Sequence, residues 1–177
     1  MPLSRESLAA KAKRITMVML DVDGVLTDGG LYYNAAGHEM KRFHAHDGYG
    51  IVRGREAGLR FAIISGRNTP IVEARARMLQ IEEVVQGTDD KVAAFRALQL
   101  RWVVSEAECA YMGDDLFDIP LLKLVGLSAA PRNALPAVKH AVQYVTRLPG
   151  GEGAVREFVD LILSLRTSRN RGRKERT

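Results

Sequence analysis

Short apolar runs alternate along the chain with longer segments in which apolar residues recur at every third or fourth position. The first run, residues 15–20, is apolar nearly throughout and is followed by Asp21, a pattern typical of a strand buried on both faces of a parallel sheet. Further runs of this kind are residues 59–64, 84–85, 109–112, 127–130 and 144–145. Since helical segments of about ten residues separate these runs, the sequence predicts an α/β fold with a doubly wound, mostly parallel sheet.

The segments between the strands carry the residue types that begin helices. Pro70 suits a first helical turn after Thr69. The buried face of that helix is predicted to consist of Ile71, Ala74, Met78 and Leu79. Capping residues predicted for other helices are Asp47, Thr88 with Asp89, and Asp118. The last helix is predicted over residues 154–165.

Two short extended segments interrupt the connection after the first strand. Residues 31–33 and 39–43 flank a polar stretch that ends in Gly37, which predicts a small antiparallel β-hairpin over about residues 31–43. Only this hairpin, and no lid domain, fits between Asp23 and Asp47. Residues 1–165 are therefore predicted to form one domain, followed by a basic and flexible tail, residues 166–177.

The 177 residues carry a formal net charge of +5, which raises the question of a nucleic-acid partner. The excess lies at the ends, because residues 1–14 carry +3 and residues 166–177 carry +5, which leaves −3 on residues 15–165. A mildly acidic core in which 6% of residues are aromatic does not suit phosphate tracking or base stacking. We therefore expect no nucleic-acid partner.

Cysteine content and hydropathy narrow the cellular location. The single cysteine, Cys109, excludes a disulfide framework and a CxxC zinc site. No apolar run approaches the ~20 residues of a membrane span, and residues 1–14 lack the apolar stretch of a signal peptide. The sequence predicts a cytoplasmic protein without a membrane partner.

Polar residues follow four successive predicted strands. They are Asp21 and Asp23 after the first strand, Ser65-Gly66-Arg67 after the second, residues 87–91 ending in Lys91 after the third, and Gly113-Asp114-Asp115 after the fourth. Ligands of doubly wound sheets bind beyond the carboxyl ends of the strands, so we expect these groups to share one site. Carboxylates, a hydroxyl, a lysine and glycines suit Mg²⁺ and phosphate, and Asp21 with Asp114 would suffice for the metal. The pattern predicts phosphoryl transfer.

Other nucleotide and hydrolase motifs are absent from the sequence. No GxGxxG follows the first strand, and neither GxxxxGK[ST] nor Gly-x-Ser-x-Gly occurs anywhere. A nucleotide-binding Rossmann domain, a P-loop enzyme and a serine hydrolase are therefore not supported.

The residues at the strand ends carry a family resemblance. The four motifs of the haloacid dehalogenase-like phosphatase superfamily are similar to Asp21-Val22-Asp23-Gly24-Val25-Leu26-Thr27-Asp28, Ile64-Ser65-Gly66-Arg67, Lys91 and Gly113-Asp114-Asp115-x-x-Asp118. Within that superfamily the chain resembles the small capless branch. The features that carry this closer resemblance are the hairpin, Asp47-Gly48-Tyr49-Gly50 and the closing residues 145–157. The resemblance covers residues 15–165 and implies a Rossmann-like fold without a cap domain.

By this resemblance, the protein is an Mg²⁺-dependent phosphatase that forms an aspartyl-phosphate on Asp21. Asp23 would first donate and then accept a proton. The Asp21 carboxylate, the Asp23 backbone carbonyl and Asp114 would bind the metal, with Asp115 and Asp118 beside them. Phosphate- and substrate-binding roles would fall to Ser65, Gly66, Arg67, Lys91, His46, Asp47 and Gly48. The resemblance also implies a homotetramer in which a neighbour's hairpin helps to complete each site.

The resemblance favours one substrate and leaves others open. It favours 3-deoxy-D-manno-octulosonate 8-phosphate, an intermediate of lipopolysaccharide biosynthesis, hydrolysed to the sugar acid and phosphate. The family pattern has arginine where this chain has His46, and a neutral imidazole would bind a substrate carboxylate less well than a guanidinium. A nonulosonate 9-phosphate or a broad set of sugar phosphates therefore stays open. A phospho-accepting signalling module is a further alternative, although it would give Asp23 no role.

Overall fold

The computed structural model describes residues 4–167, and a parallel sheet runs through the middle of that part of the chain. The strands within it are β1 (Met17–Leu20), β2 (Tyr32–Tyr33), β3 (Glu39–Met40), β4 (Arg60–Ile64), β5 (Glu83–Val85), β6 (Cys109–Met112), β7 (Leu127–Ala130) and β8 (Tyr144–Val145). The order across the main sheet is β5-β4-β1-β6-β7-β8, and every neighbouring pair is parallel. The predicted doubly wound α/β architecture is confirmed.

β1 lies near the centre of the sheet and is paired on both sides. Leu20 at its end is level with Ile63 of β4 and with Met112 of β6. Because the three strands run in the same direction, the residues that follow them emerge at one edge of the sheet. Three of the connections that carry predicted site residues therefore start side by side.

Helices cover both faces of the sheet. They are α1 (Arg5–Ala12), α2 (Ala45–Glu56), α3 (Pro70–Leu79), α4 (Lys91–Trp102), α5 (Ile119–Leu124), α6 (Pro136–Ala141) and α7 (Ala154–Thr167). The helices α1, α2, α3 and α7 pack on one face, against Val18 and Leu20 of β1, whereas α4, α5 and α6 pack on the other, against Met17 and Met19. Side chains alternate between the two faces of a strand, so one apolar run contributes to both halves of the core.

The predicted hairpin is present and stands apart from the main sheet. β2 and β3 pair antiparallel, with Tyr32 opposite Met40, and Gly37 in the turn has a φ of 78°. That angle lies in the left-handed region, which glycine adopts without strain. Across residues 4–167, no helix combines the length and apolar character that crossing a membrane requires.

The buried face of α3 differs from the prediction. Thr69 caps this helix and Pro70 begins it, as expected. Leu79 faces the core as predicted, but its buried neighbours are Val72 and Ala76, whereas Met78 is 75% exposed. Both sets of residues recur every three or four positions, so periodicity alone could not decide between the two faces.

Helix ends also differ from the prediction in several places. The N-cap of α2 is His44 rather than Asp47, and that of α4 is Asp90 rather than Thr88 or Asp89. Helix α1 was not predicted. Helix α7 continues to Thr167, beyond the predicted end at residue 165, and the rest of the predicted tail lies outside the described residues.

Candidate active site

A cavity of about 380 Å³ opens at the carboxyl edge of the sheet, beyond β1. Its walls come from the segments that follow β1, β4, β5 and β6. The lining residues are Asp21, Asp23, Ser65, Gly66, Arg67, Thr88, Asp89, Lys91, Asp114, Asp115, Phe117 and Asp118. The structure thus brings the predicted catalytic and metal-binding residues to one place, together with the predicted phosphate-binding residues from the ends of β4 and β5.

Lys91 lies in the cavity between two carboxylates. Its Nζ is 3.0 Å from Oδ2 of Asp21 and 2.6 Å from Oδ1 of Asp118, and 6% of its side chain is exposed. Although burial opposes the shift, these two negative charges raise the pKa of Lys91. Lys91 is therefore a fixed positive charge in contact with the carboxylate predicted to be the nucleophile.

Asp118 is fully buried and connects the segments around the cavity. Its Oδ1 accepts a hydrogen bond from the Tyr111 hydroxyl at 2.6 Å. Its Oδ2 accepts the backbone N–H groups of Asp114 and Asp115, at 2.9 and 3.0 Å. Asp118 precedes α5 as predicted, but its side chain makes no capping hydrogen bond to that helix. Its contacts hold Lys91 and the Asp114 loop in place instead.

Tyr111 belongs to this network although the sequence analysis did not single it out. It is fully buried in β6, and its hydroxyl lies 3.3 Å from Nζ of Lys91 as well as donating to Asp118. Buried hydroxyl groups require hydrogen-bond partners. Tyr111 lies two residues before Gly113, in an otherwise apolar strand. Its hydroxyl group was therefore the available sign that polar groups lie beneath the site.

The two predicted metal-binding carboxylates fit a divalent cation. Burial raises the pKa of Asp21 to about 7 despite the opposing Lys91 charge, and burial together with the charges of Asp21 and Asp118 raises the pKa of Asp114 to about 7. Oδ1 of Asp114 is buried without a hydrogen-bond partner among residues 4–167. The carboxylates of Asp21, Asp114 and Asp118 each place an oxygen within 4.8 Å of the others. A hard cation such as Mg²⁺ would engage the unpaired oxygen and offset the excess negative charge.

We expect Mg²⁺ to stabilise the fold more at pH 8 than at pH 5. The folded-state pKa values of Asp21 and Asp114 lie near 7, above their ordinary value of 3.8, so the metal-free fold binds extra protons. The stabilisation of the metal-free fold by these protons is fully present below the unfolded pKa and is lost as the pH rises through about 7. At that pH the two carboxylates ionise and become available to the metal. Thermal unfolding with and without Mg²⁺ at both pH values measures this. Asp114→Asn should remove most of the response, and equal shifts at pH 5 and pH 8 would contradict the assignment.

Glycine allows the loop after β1 to pass close to Asp114. Gly24 has a φ of 84°, and a Cβ there would lie 2.0 Å from Oδ2 of Asp114. Gly150 packs on Gly24 in turn, since a Cβ at position 150 would lie 1.7 Å from the Gly24 carbonyl oxygen. The glycine-rich segment before α7 therefore supports the loop that carries Asp21 and Asp23.

The segments after β4 and β5 form the opposite wall. Ser65 is buried, and its backbone N–H donates to the Val85 carbonyl at 2.9 Å, while the Thr88 N–H donates to the Ser65 carbonyl at 3.3 Å. These bonds fix the Ser65-Gly66-Arg67 turn beside Lys91. Thr88 and Asp89, part of the polar segment predicted to reach the site after β5, line the cavity, and the exposed ring of Phe117 lies at its edge.

The hairpin contributes charged groups that the sequence analysis missed. Nζ of Lys41 lies 2.5 Å from Oδ1 of Asp23 and 3.2 Å from Oε1 of Glu39. The same Glu39 oxygen is 2.9 Å from the Arg67 guanidinium. Glu39 and Lys41 are two residues apart in an extended segment, so the period of a strand places them on one face. The two-residue spacing of Glu39 and Lys41 was therefore the sequence signal that both side chains face the same side of the hairpin.

The structure does not bring Asp47 to this cavity. Its carboxylate is buried and accepts hydrogen bonds from the backbone N–H groups of Gly153 and Arg156, at 3.1 and 2.8 Å. Backbone N–H groups at the first turn of a helix lack partners within the helix, and a carboxylate satisfies them. Asp47 thus anchors the start of α7, and its predicted contact with substrate is not made from this chain's own cavity.

His46 and Gly48 also lie away from the cavity. His46 borders a separate groove of about 710 Å³, together with Arg147 and Arg156. Gly48 lies beneath Arg75, and a Cβ there would be 2.4 Å from the guanidinium. A role for either residue in substrate binding stays a prediction.

Comparisons with known proteins agree on one family. A family model described as haloacid dehalogenase-like hydrolase matches residues 77–158. The chain is 43% identical over 162 residues to 3-deoxy-D-manno-octulosonate 8-phosphate phosphatase of Escherichia coli strain K12, an alignment that covers 92% of this chain and 86% of that protein.

Solved structures extend the likeness to the fold. A probable YrbI family phosphatase from Pseudomonas syringae superposes with a TM-score of 0.90 at 42% identity, covering 96% of this chain and 97% of that chain. The 3-deoxy-D-manno-octulosonate 8-phosphate phosphatase of Moraxella catarrhalis, solved with magnesium, phosphate and the sugar acid, superposes with a TM-score of 0.88 at 38% identity and covers 90% and 92% of the two chains. The similarity spans nearly the whole of each chain compared.

Proposed function

Because the chain belongs to the haloacid dehalogenase-like hydrolases, and within them to the 3-deoxy-D-manno-octulosonate 8-phosphate phosphatases, we propose that it hydrolyses this sugar-acid phosphate through an aspartyl-phosphate. The protein is an Mg²⁺-dependent phosphoric monoester hydrolase. One observation carries the mechanism: Asp21, a buried carboxylate, contacts the fixed cation Lys91 and shares one cavity with Asp23.

In the first half of the reaction, a carboxylate oxygen of Asp21 attacks phosphorus and the bond from phosphorus to the sugar oxygen breaks. The departing oxygen takes a proton from Asp23, so it leaves as a neutral hydroxyl group of the sugar acid. Lys91 and the Ser65-Gly66-Arg67 turn face the phosphoryl oxygens and stabilise the negative charge that they carry in the transition state.

In the second half, water attacks the phosphorus of the aspartyl-phosphate. Asp23, now ionised, accepts the proton of that water, and the bond from phosphorus to the Asp21 oxygen breaks. Inorganic phosphate leaves and the Asp21 carboxylate is restored. A module that only accepted and stored phosphate would use Asp114 for the metal but would leave Asp23 without a proton to transfer, which disfavours the signalling alternative.

The metal belongs to the same proposal. Asp21, Asp114 and the backbone carbonyl of Asp23 would hold Mg²⁺, which supplies charge neutralisation between the attacking carboxylate and the phosphate. Asp118 would not bind the metal directly, because its oxygens already accept hydrogen bonds from Lys91, Tyr111 and the N–H groups of Asp114 and Asp115. It would instead hold Lys91 and the Asp114 loop in place around the metal. Asp115 lines the same cavity beside Asp114.

A phosphate-release screen with Mg²⁺ tests the function. The substrates are 3-deoxy-D-manno-octulosonate 8-phosphate, a nonulosonate 9-phosphate and ordinary sugar phosphates such as glucose 6-phosphate. The proposal requires the highest kcat/KM for the first, loss of release with EDTA and recovery on adding Mg²⁺. Preference for the nine-carbon ester would replace the substrate assignment. A stable phosphoprotein without turnover would favour the signalling module, and recovery with zinc alone would contradict an all-oxygen metal site.

His46→Arg tests whether position 46 meets the substrate carboxylate. A guanidinium binds a carboxylate through two hydrogen bonds, so the KM should fall about three- to tenfold while kcat stays within about twofold. The groove near His46 already contains Arg147 and Arg156. Arg147→Gln is the control, because it shows how far a change of charge elsewhere in this groove alters the KM. An unchanged or raised KM would show that the carboxylate is bound elsewhere.

We also propose that the protein is a cytoplasmic homotetramer. The hairpin exposes several large apolar side chains to solvent: Leu31, Tyr32, Tyr33 and Met40. Apolar patches of this kind on a small domain favour burial against another chain, and a short hairpin is marginal when it stands alone. A buried Cys109 without a disulfide partner is consistent with a reducing compartment.

Subunit mixing tests whether the hairpin serves a neighbouring site. Chains carrying Asp21→Asn are mixed with chains carrying Leu31→Ser and Met40→Ser, which change the exposed side of the hairpin and keep Glu39 and Lys41 beside Asp23, so that neither chain alone has both parts. Mixed tetramers should regain part of the activity if one chain's hairpin completes another chain's Asp21 site. Asp21→Asn chains that also carry Leu31→Ser and Met40→Ser provide the control. Absence of recovery on verified subunit exchange, or a fully active monomer in sedimentation, would rule out the shared site.

A further inference from the structure

The hairpin holds a buried lysine against the proton-transferring carboxylate. Only 1% of the Lys41 side chain is exposed, and its Nζ is 2.5 Å from Oδ1 of Asp23. The two residues are 18 positions apart in sequence, and the contact joins the hairpin to the loop after β1. Hairpin and cavity are therefore linked at one atom of Asp23.

Burial makes this contact energetically significant. An ammonium group removed from water is strongly destabilised unless carboxylates compensate it. Glu39, on the same face of the hairpin and 3.2 Å away, supplies one such carboxylate. Glu39 is in turn shared with Arg67 at 2.9 Å, so Asp23 provides the remaining compensation for Lys41. The result is a continuous chain of alternating charges, Asp23, Lys41, Glu39 and Arg67, along one side of the cavity.

We propose that Lys41 is a positioning residue that orients Asp23 for proton transfer. Lys41 donates a hydrogen bond to Oδ1 of Asp23. Oδ2 is left to give the proton to the departing sugar oxygen and to accept the proton of the attacking water. This inference rests on the proposed function, because it assumes that Asp23 performs both transfers.

The placement of Lys41 distinguishes this role from direct substrate binding. Asp23 has 26% of its side chain exposed and lines the cavity, whereas Lys41 is buried behind it and is not among the residues that line it. Lys41 therefore reaches the reacting atoms only through Asp23. An ion pair of this geometry restricts the carboxylate to one orientation, and proton transfer depends steeply on orientation.

Three single variants and one double variant, compared with Asp23→Asn, separate positioning from folding. Lys41→Met removes the charge and keeps most of the side-chain volume, and Lys41→Arg keeps the charge. Arg42→Met is the matched control, since Arg42 is the next residue, is 51% exposed and contacts Asp28 and Glu152 instead of Asp23. The double variant Asp23→Asn with Lys41→Met leaves neither member of the pair charged, so it also covers the case in which Lys41→Met alone folds poorly.

The experiment is a double-mutant cycle on phosphate release from 3-deoxy-D-manno-octulosonate 8-phosphate. Lys41→Met should lower kcat about tenfold or more with little change in KM, Lys41→Arg should restore part of it, and Arg42→Met should match wild type. In the Asp23→Asn background, the further loss from Lys41→Met should be less than about twofold. Equal losses in both backgrounds, or a loss confined to KM, would overturn the positioning role.

A second substrate separates this inference from the proposed function. The same cycle is measured with phenyl phosphate, whose phenoxide departs with little help from an acid but whose aspartyl-phosphate also needs Asp23 to accept a proton from water. If Asp23→Asn has no effect on either substrate, the proposed mechanism fails. If Asp23→Asn is impaired but Lys41→Met behaves as wild type, only the role of Lys41 fails. If the cycle holds for phenyl phosphate and the sugar-acid ester is not hydrolysed, the substrate assignment alone is wrong.

Discussion

Replacement of Asp21 by asparagine is expected to reduce phosphate release to below about one thousandth of wild type. The amide has the shape of the carboxylate but cannot attack phosphorus. The fold should persist for two reasons. Burial already raises the pKa of the Asp21 carboxyl to about 7, so an uncharged side chain is tolerated there, and Lys91 keeps Asp118 as its partner at 2.6 Å. Steady-state phosphate release and thermal unfolding, measured on the same preparation, check both parts.

The control for this variant is Asp160→Asn, the same chemical change on α7, where Asp160 pairs with Arg53 and Arg156. It should retain most of the activity. Trapping the phosphoenzyme with acid provides a direct readout, since wild type should carry phosphate on Asp21 and the variant should carry none. Phosphate on any other residue, or activity of Asp21→Asn above a few per cent of wild type, would exclude Asp21 as the nucleophile.

The sequence was sufficient to predict the sheet and the residues at its carboxyl edge. An apolar run such as residues 15–20 is typical of a strand covered on both faces, and parallel strands in a doubly wound fold deliver their following residues to one edge. The register of β1 with β4 and β6 then places Asp21, Ser65 and Asp114 around one cavity. The family resemblance added the individual roles that spacing could not assign.

Contacts between distant segments could not be predicted in the same way. Asp47 looked like a helix cap or a substrate ligand, but it binds the N–H groups of Gly153 and Arg156, more than 100 residues away. Asp118 is placed as predicted, yet its partners are Lys91 and Tyr111 rather than its own helix. Hydrogen-bond partners of buried polar groups are determined by the packing of whole elements, which local sequence patterns do not describe.

Lys91→Met is expected to abolish activity and to destabilise the fold by about 3–5 kcal/mol at pH 8. Lys91 is the cation that contacts both Asp21 and Asp118, and its removal leaves these buried carboxylates, with Asp114 beside them, uncompensated. The loss of the Lys91 charge raises the pKa of Asp21 further, since that charge normally opposes the effect of burial. At pH 5, protonation relieves the repulsion, so the destabilisation should be smaller there than at pH 8. Urea unfolding at both pH values measures the difference, with the exposed Lys123→Met as control.

A second substitution separates the two consequences of losing Lys91. Adding Asp118→Asn to Lys91→Met removes one of the unpaired charges, while the amide oxygen can still accept the N–H groups of Asp114 and Asp115 and the amide nitrogen can face the Tyr111 hydroxyl. Stability at pH 8 should therefore recover in large part. Activity should not recover, because no cation remains beside Asp21 to stabilise the phosphoryl oxygens. Recovery of both would mean that Lys91 serves the fold alone, and recovery of neither would mean that packing rather than charge accounts for the loss.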